Sequence, residues 1–62
     1  MNGKQVIKFL KLHGWELKAV MGSHHQMVNQ KGRKTSVPVH GSKDLKKKTI
    51  IGIEKQTGVK LR

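Results

Sequence analysis

The sequence predicts an α+β fold: a two-layer sandwich in which a helix, a three-stranded antiparallel sheet and a second helix follow one another. Three observations predict it. The opening segment carries apolar residues at helical spacing. The middle alternates apolar and polar residues with period two, interrupted by short glycine-containing turns. The closing segment returns to helical spacing through its isoleucines. At 62 residues the chain is a single domain, 1–62. A chain of this size buries only roughly 60% of the surface its unfolded form exposes, so its core is small and a stabilising partner is favoured.

Asn2 is placed to cap a helix, and Gln5, three positions on, completes a capping box. Val6, Ile7, Phe9, Leu10 and His13 then recur with helical spacing, while Lys4, Lys8 and Lys11 fall mainly on the other side. Gly14 ends the helix as a left-handed cap, giving a helix over residues 3–13. Trp15, Leu17, Ala19 and Met21 alternate with Glu16, Lys18 and Val20, the pattern of a half-buried strand with one apolar face. Gly22-Ser23 is a turn signal, and a second strand is expected over 24–30. Lys31-Gly32-Arg33-Lys34 reads as a hairpin loop in which Gly32 supplies a positive φ.

Thr35, Val37 and Val39 alternate with Ser36, Pro38 and His40 in a third strand. Pro38 has no N–H to give to a ladder, which puts this strand at the sheet edge. Gly41-Ser42-Lys43 is a loop, and Asp44 is expected to cap a short turn through Leu45 and Lys46-Lys47-Lys48. Thr49 then caps the second helix, which buries Ile50, Ile51, Ile53 and Thr57 and ends at Gly58; Val59 and Leu61 fold back on the core. Gly52 within that helix is unfavourable by about 1 kcal/mol relative to Ala and is read as a close approach to the sheet. Two helices covering one face of a three-stranded sheet leave its other face open.

The charge balance narrows the function. Fourteen Lys and Arg stand against Glu16, Asp44 and Glu54, a formal net charge of +11. Such an imbalance implies a polyanionic or acidic partner, with nucleic acid ahead of an acidic protein or an anionic membrane surface. No run approaches the roughly 18 to 20 apolar residues that span a bilayer, and the N-terminus lacks the apolar block of a signal peptide. A soluble, cytoplasmic protein is expected. With no cysteine, neither disulfides nor thiolate metal ligands are available.

Gly22-Ser23-His24-His25-Gln26 is the one place where groups able to move a proton near neutral pH cluster. RNA cleavage without a metal needs a base for the 2′-hydroxyl proton, an acid for the leaving 5′-oxygen, and cations on the phosphate. Adjacent residues at a strand start point to opposite faces, so one of the two histidines faces substrate. Met27 shares a face with His25, which turns His25 toward the helices and His24 onto the open face; Val28 argues weakly the other way. His24 is the preferred catalytic residue and His25 the second choice. On residue chemistry alone, a surface or hydrogen-bonding pair of histidines is the commoner outcome. A metal site is not expected, because diverging neighbours without Cys or a nearby carboxylate do not complete a tetrahedron, and no cofactor is implied. His13 closes the first helix and reads as structural. His40 closes the third strand and reads as loop surface unless the fold brings it near His24.

Lys46, Lys47 and Lys48 form a basic run before the second helix, and Lys31, Arg33 and Lys34 form another in the hairpin. The bland reading of each is a solvated loop; the functional one is a phosphate clamp, with both clusters flanking the open face. Trp15 alternates with core residues and is read as core, not as a stacking platform.

Taken in order, Leu12-His13-Gly14-Trp15, Gly22-Ser23-His24-His25-Gln26, Val37-Pro38-Val39-His40 and Lys55-Gln56-Thr57-Gly58-Val59 resemble the HicA toxin family of bacterial and archaeal toxin–antitoxin systems over nearly the whole chain. The resemblance implies a double-stranded-RNA-binding-domain-like fold and an mRNA interferase, that is, a toxin cleaving mRNA to arrest translation and growth. It carries the family's catalytic histidine onto His24, or onto His25 by the pattern in which asparagine precedes the histidine. It also implies a HicB-type antitoxin that blocks the active site. The alternative on the same fold is a non-catalytic double-stranded-RNA-binding module, which needs cations and 2′-hydroxyl contacts but no histidine at a strand start.

Overall fold

The computed structural model describes the whole chain, Met1 to Arg62. Its elements run α1 (Gly3–Leu12), β1 (Glu16–Met21), β2 (His24–Val28), β3 (Lys34–Pro38) and α2 (Lys47–Thr57). The strands form one antiparallel sheet in the order β1-β2-β3, so β3 is an edge strand and Pro38 sits where its missing N–H costs no ladder bond. This is the predicted helix–sheet–helix sandwich of double-stranded-RNA-binding-domain type. Both helices cover one face, and their contacts fall chiefly on β3.

The capping box at α1 is complete. Asn2 Oδ1 accepts from the Gln5 N–H at 2.9 Å, and Gln5 Oε1 accepts from the Asn2 N–H at 2.8 Å. At the other end Gly14 takes φ 84°, and the Trp15 and Gly14 N–H groups donate back to the Leu10 and Lys11 carbonyls. That reversal delivers Trp15 into the core, where it is buried with Val6, Leu10, Met27, Val37 and Ile53. Full burial of each such side chain contributes about 1.5–3 kcal/mol.

The first strand departs from the expected single apolar face. Its register on β2 slips between Leu17 and Ala19, leaving Lys18 as an extra residue. Leu17 and Val20 pair with Met27 and His25 on the helix side, whereas Ala19 and Met21 pair with Gln26 and His24 on the open side. Because the helices lie over β3, the helix-side residues are barely covered: Leu17 is 41% exposed and Val20 54%.

The second strand stops at Val28, not at residue 30. The Asn29 N–H still donates to the Arg33 carbonyl at 3.1 Å, and Asn29 Oδ1 accepts from the N–H groups of Lys31 and Arg33, so its carboxamide turns the chain back into β3. Lys34 is thereby the first residue of β3 and not part of the loop.

The second helix starts three residues earlier than predicted. Lys46 is its N-cap with no side-chain cap bond, and Thr49 lies inside the first turn. Asp44 caps nothing: it forms an antiparallel bridge with Asn2, while the Leu45 N–H donates to the Met1 carbonyl at 2.9 Å. Ile53 and Thr57 are buried as expected, but Ile50 and Ile51 are only half-buried. Gly52 is exposed, and a Cβ there would meet nothing within 4 Å, so it marks no close approach. The close approach belongs to Gly3, where a Cβ would run into the Pro38 carbonyl oxygen.

Candidate active site at the histidine end of the sheet

The β1–β2 connection is two residues long. Gly22 adopts φ 59°, which the first position of such a hairpin turn favours in glycine. The turn sets His24 as the first residue of β2, paired with Met21 on one side and Pro38 on the other. Strand alternation puts it on the open face, where it is exposed. His25 pairs with Val20 and Val37 and points toward the helix layer, half-buried. The division expected from Met27 therefore holds. His25 Nδ1 lies 3.4 Å from the Ser23 carbonyl oxygen, a long and weak contact. That same carbonyl accepts from the Val39 N–H at 2.7 Å, which extends the β2–β3 ladder one rung past Pro38.

Both helices begin at this end. Gly3, the first residue of α1, abuts Pro38 and Val39. The start of α2 shares a cleft of about 230 Å³ with the end of β3, lined by Pro38, His40, Lys43, Asp44, Leu45, Lys46 and Thr49. Neither helix has an acidic residue in its first turn, and α2 has no side-chain cap. Its first N–H groups therefore present partial positive charge beside Lys43, Lys46, Lys47 and Lys48. The only carboxylate here, Asp44, lies 3.3 Å from the Met1 amine.

The other predicted cluster lies at the opposite end. Lys31 and Arg33 sit in the Asn29 loop and Lys34 opens β3 on the open face, opposite Val28. Both helices end here: Thr57 and His13 share a cleft with Asn29, Lys31 and Arg33. His13 Nδ1 is 3.0 Å from the Phe9 carbonyl oxygen, and its ring centroid is 4.7 Å from that of Phe9, in keeping with a structural role. Thus the α2 start shares the His24 end of the sheet, with Lys43 and Lys46 in one cleft with His40 and with Pro38, the partner of His24, whereas the hairpin cations are a strand length away, about 13 Å at 3.3 Å per residue. Sequence reasoning missed this polarity. Its signal was the order of short connections, which forces both helices to run the same way along the sheet.

A helix–sheet–helix sandwich with a basic, histidine-bearing end defines a class: the small basic α+β domains with a double-stranded-RNA-binding-domain-like fold. Within it, the chain belongs to the HicA toxins of bacterial toxin–antitoxin systems, whose family model matches residues 3–59 and so spans all five elements and every candidate site residue. As a HicA toxin it has a HicB-type antitoxin as its partner class. No individual curated protein matches the chain. No helix is long and apolar enough to cross a membrane.

Proposed function

We propose that this toxin is a metal-independent endoribonuclease, an mRNA interferase that cleaves mRNA and so arrests translation and growth, with His24 as general acid/base. The observation that carries the reading is the meeting, at one end of the sheet, of an exposed strand-start histidine, two helix N-termini and the lysines around α2. Cleavage needs these parts together. A ring that exchanges protons near neutral pH serves the 2′-hydroxyl or the leaving oxygen. Lys46, Lys47 and Lys48 with the α2 amides offset the charge that builds on the phosphorane. Lys31, Arg33 and Lys34 hold the RNA backbone further along. His25 is second choice because its ring turns into the helix layer. An mRNA substrate places the protein in the cytoplasm, and a HicB-type antitoxin with acidic surface is steered to the same basic end.

The test is a paired induction of the wild-type chain and His24→Ala in a bacterial host, following colony formation and bulk mRNA integrity. Arrest with mRNA loss in the wild type alone supports the assignment. Equal arrest by both variants moves the chemistry to His25 or elsewhere. No arrest by either, with soluble protein present, favours the non-catalytic RNA-binding reading.

A further inference from the structure

We propose that His40 is the second proton-transfer group of the ribonuclease site, the general acid that completes the work of His24; this rests on the endoribonuclease reading above. One histidine leaves the reaction half served, since a proton must leave the 2′-hydroxyl and another must reach the 5′-oxygen. The chain has four histidines. His13 lies at the far end of the sheet, bonded to its own helix. His25 follows His24 directly and so diverges to the opposite face. His40 alone is placed to act with His24. Pro38 pairs directly with His24, and the Val39–Ser23 bond carries the ladder on toward His40. His40 follows one residue past that bond, beyond the end of β3 at Pro38, and opens the turn closed by the Lys43 N–H on its carbonyl at 3.0 Å; a continued strand step from Pro38 would make it the diagonal neighbour of His24, with Cα atoms about 7–8 Å apart and aromatic side chains within reach. It is exposed and lines the same cleft as Pro38, Lys43, Lys46 and Thr49, so a phosphate drawn to those lysines lies beside it.

In an in-line displacement the attacking and leaving oxygens lie on opposite sides of phosphorus, and base and acid must flank it. The neutral His24 ring takes the 2′-hydroxyl proton as the 2′-oxygen bonds to phosphorus. The phosphorus–5′-oxygen bond breaks, and the protonated His40 ring gives its proton to that oxygen. The products are a 2′,3′-cyclic phosphate and a free 5′-hydroxyl. His24 ends protonated and His40 neutral, so the step balances without water or a metal.

The test uses the full-length toxin and an RNA oligonucleotide carrying the cleavage site mapped with the wild type. It is made once with the natural 5′-oxygen and once with sulfur at that bridging position. A thiol is far more acidic than an alcohol, so the sulfur departs as thiolate and needs no general acid. His40→Ala is expected to cleave the oxygen substrate about 10²–10⁴-fold more slowly than wild type and the sulfur substrate at close to the wild-type rate. His24→Ala is expected to lose both. Undiminished cleavage of the oxygen substrate by His40→Ala overturns the proposal, as does an equal loss on both substrates, which a merely structural residue would give. Rescue of His24→Ala in place of His40→Ala overturns the assignment of roles. A wild-type protein that cuts no RNA at the mapping step overturns the ribonuclease reading and this proposal with it.

Discussion

The two ends of the sheet carry similar numbers of cations and differ in what the backbone adds to them. At the histidine end, Lys43, Lys46, Lys47 and Lys48 stand beside the starts of both helices; at the hairpin end, Lys31, Arg33 and Lys34 stand beside both helix ends. A helix terminus is worth about half an elementary charge, positive at the start and negative at the end. Two helices therefore add roughly one positive charge to the first cluster and subtract roughly one from the second. A basic run is thus not a unit of function. The same lysines bind a phosphate more tightly where helices begin than where they end, and His24, His25 and His40 lie where they begin.

The largest expected effect tests whether the chemistry belongs to that end at all. His24→Ala is expected to lower RNA cleavage by about 10²–10⁴-fold with an unchanged melting temperature, because the ring is exposed and packs into no core. Next come the two cation clusters. Neutralising Lys46, Lys47 and Lys48 to Gln is expected to flatten the salt dependence of RNA binding by about 2 log units per log unit of salt and to lower turnover as well. Neutralising Lys31, Arg33 and Lys34 is expected to weaken binding alone, with turnover retained at saturating RNA. Equal effects of both triple variants on turnover would break the comparison.

What was legible in the sequence divides along the same line. Asn2 and Gln5, the Gly14 stop, the Gly22 turn and Pro38 act through neighbours within a few residues, and each stands as read. So does the split of His24 and His25, because strand parity is local. The misreadings depend on where one element lies on another. The apolar face of β1 is divided by an extra residue at Lys18, whose only cause is pairing with β2. The cap given to Thr49 moved to Lys46 because residues 44 and 45 are held by Asn2 and Met1, across the chain. That the α2 start with Lys46 lies at the same end of the sheet as His24 rests on both helices running the same way, which no local pattern encodes.

Two glycines sharpen the comparison through stability. Gly3→Ala sets a methyl against the Pro38 carbonyl and Val39, where backbone must yield, and is expected to destabilise by about 1–3 kcal/mol. Because it forces α1 away from the end of β3, RNA cleavage should fall further than the loss of folded protein explains. Gly52→Ala is the converse. The position is helical, exposed and open on all sides. The expected gain is about 0.5–1 kcal/mol with activity unchanged, read as a melting temperature raised by roughly 4–8 °C per kcal/mol. A loss of stability would mean that something unseen here rests on that face.

The smallest effect belongs to the C-terminal tail. Past α2, Gly58 turns with φ 73° and the tail folds back, with Val59 and Leu61 packed on the core. Glu54 holds it there: Oε2 accepts from the Leu61 N–H at 2.7 Å and the Arg62 N–H at 3.2 Å, and Oε1 accepts from Arg62 Nε at 2.9 Å. The Leu61 amide, with help from Arg62, holds this carboxyl below its ordinary value of 4.5. A depressed folded value means that the unfolded chain binds the proton more readily. The clamp's contribution is therefore complete above the ordinary carboxylate range and is lost as pH falls through the depressed one. From neutrality down to the ordinary carboxylate value the Leu61 and Arg62 amide resonances should stay fixed, and as pH falls below it they should move toward those of a free tail. Glu54→Gln should show the free-tail shifts at every pH, while RNA cleavage stays at the wild-type level. A tail that stays docked in acid would mean that Val59 and Leu61 hold it without the carboxylate. A fall in cleavage on releasing it would tie the two ends of the molecule together.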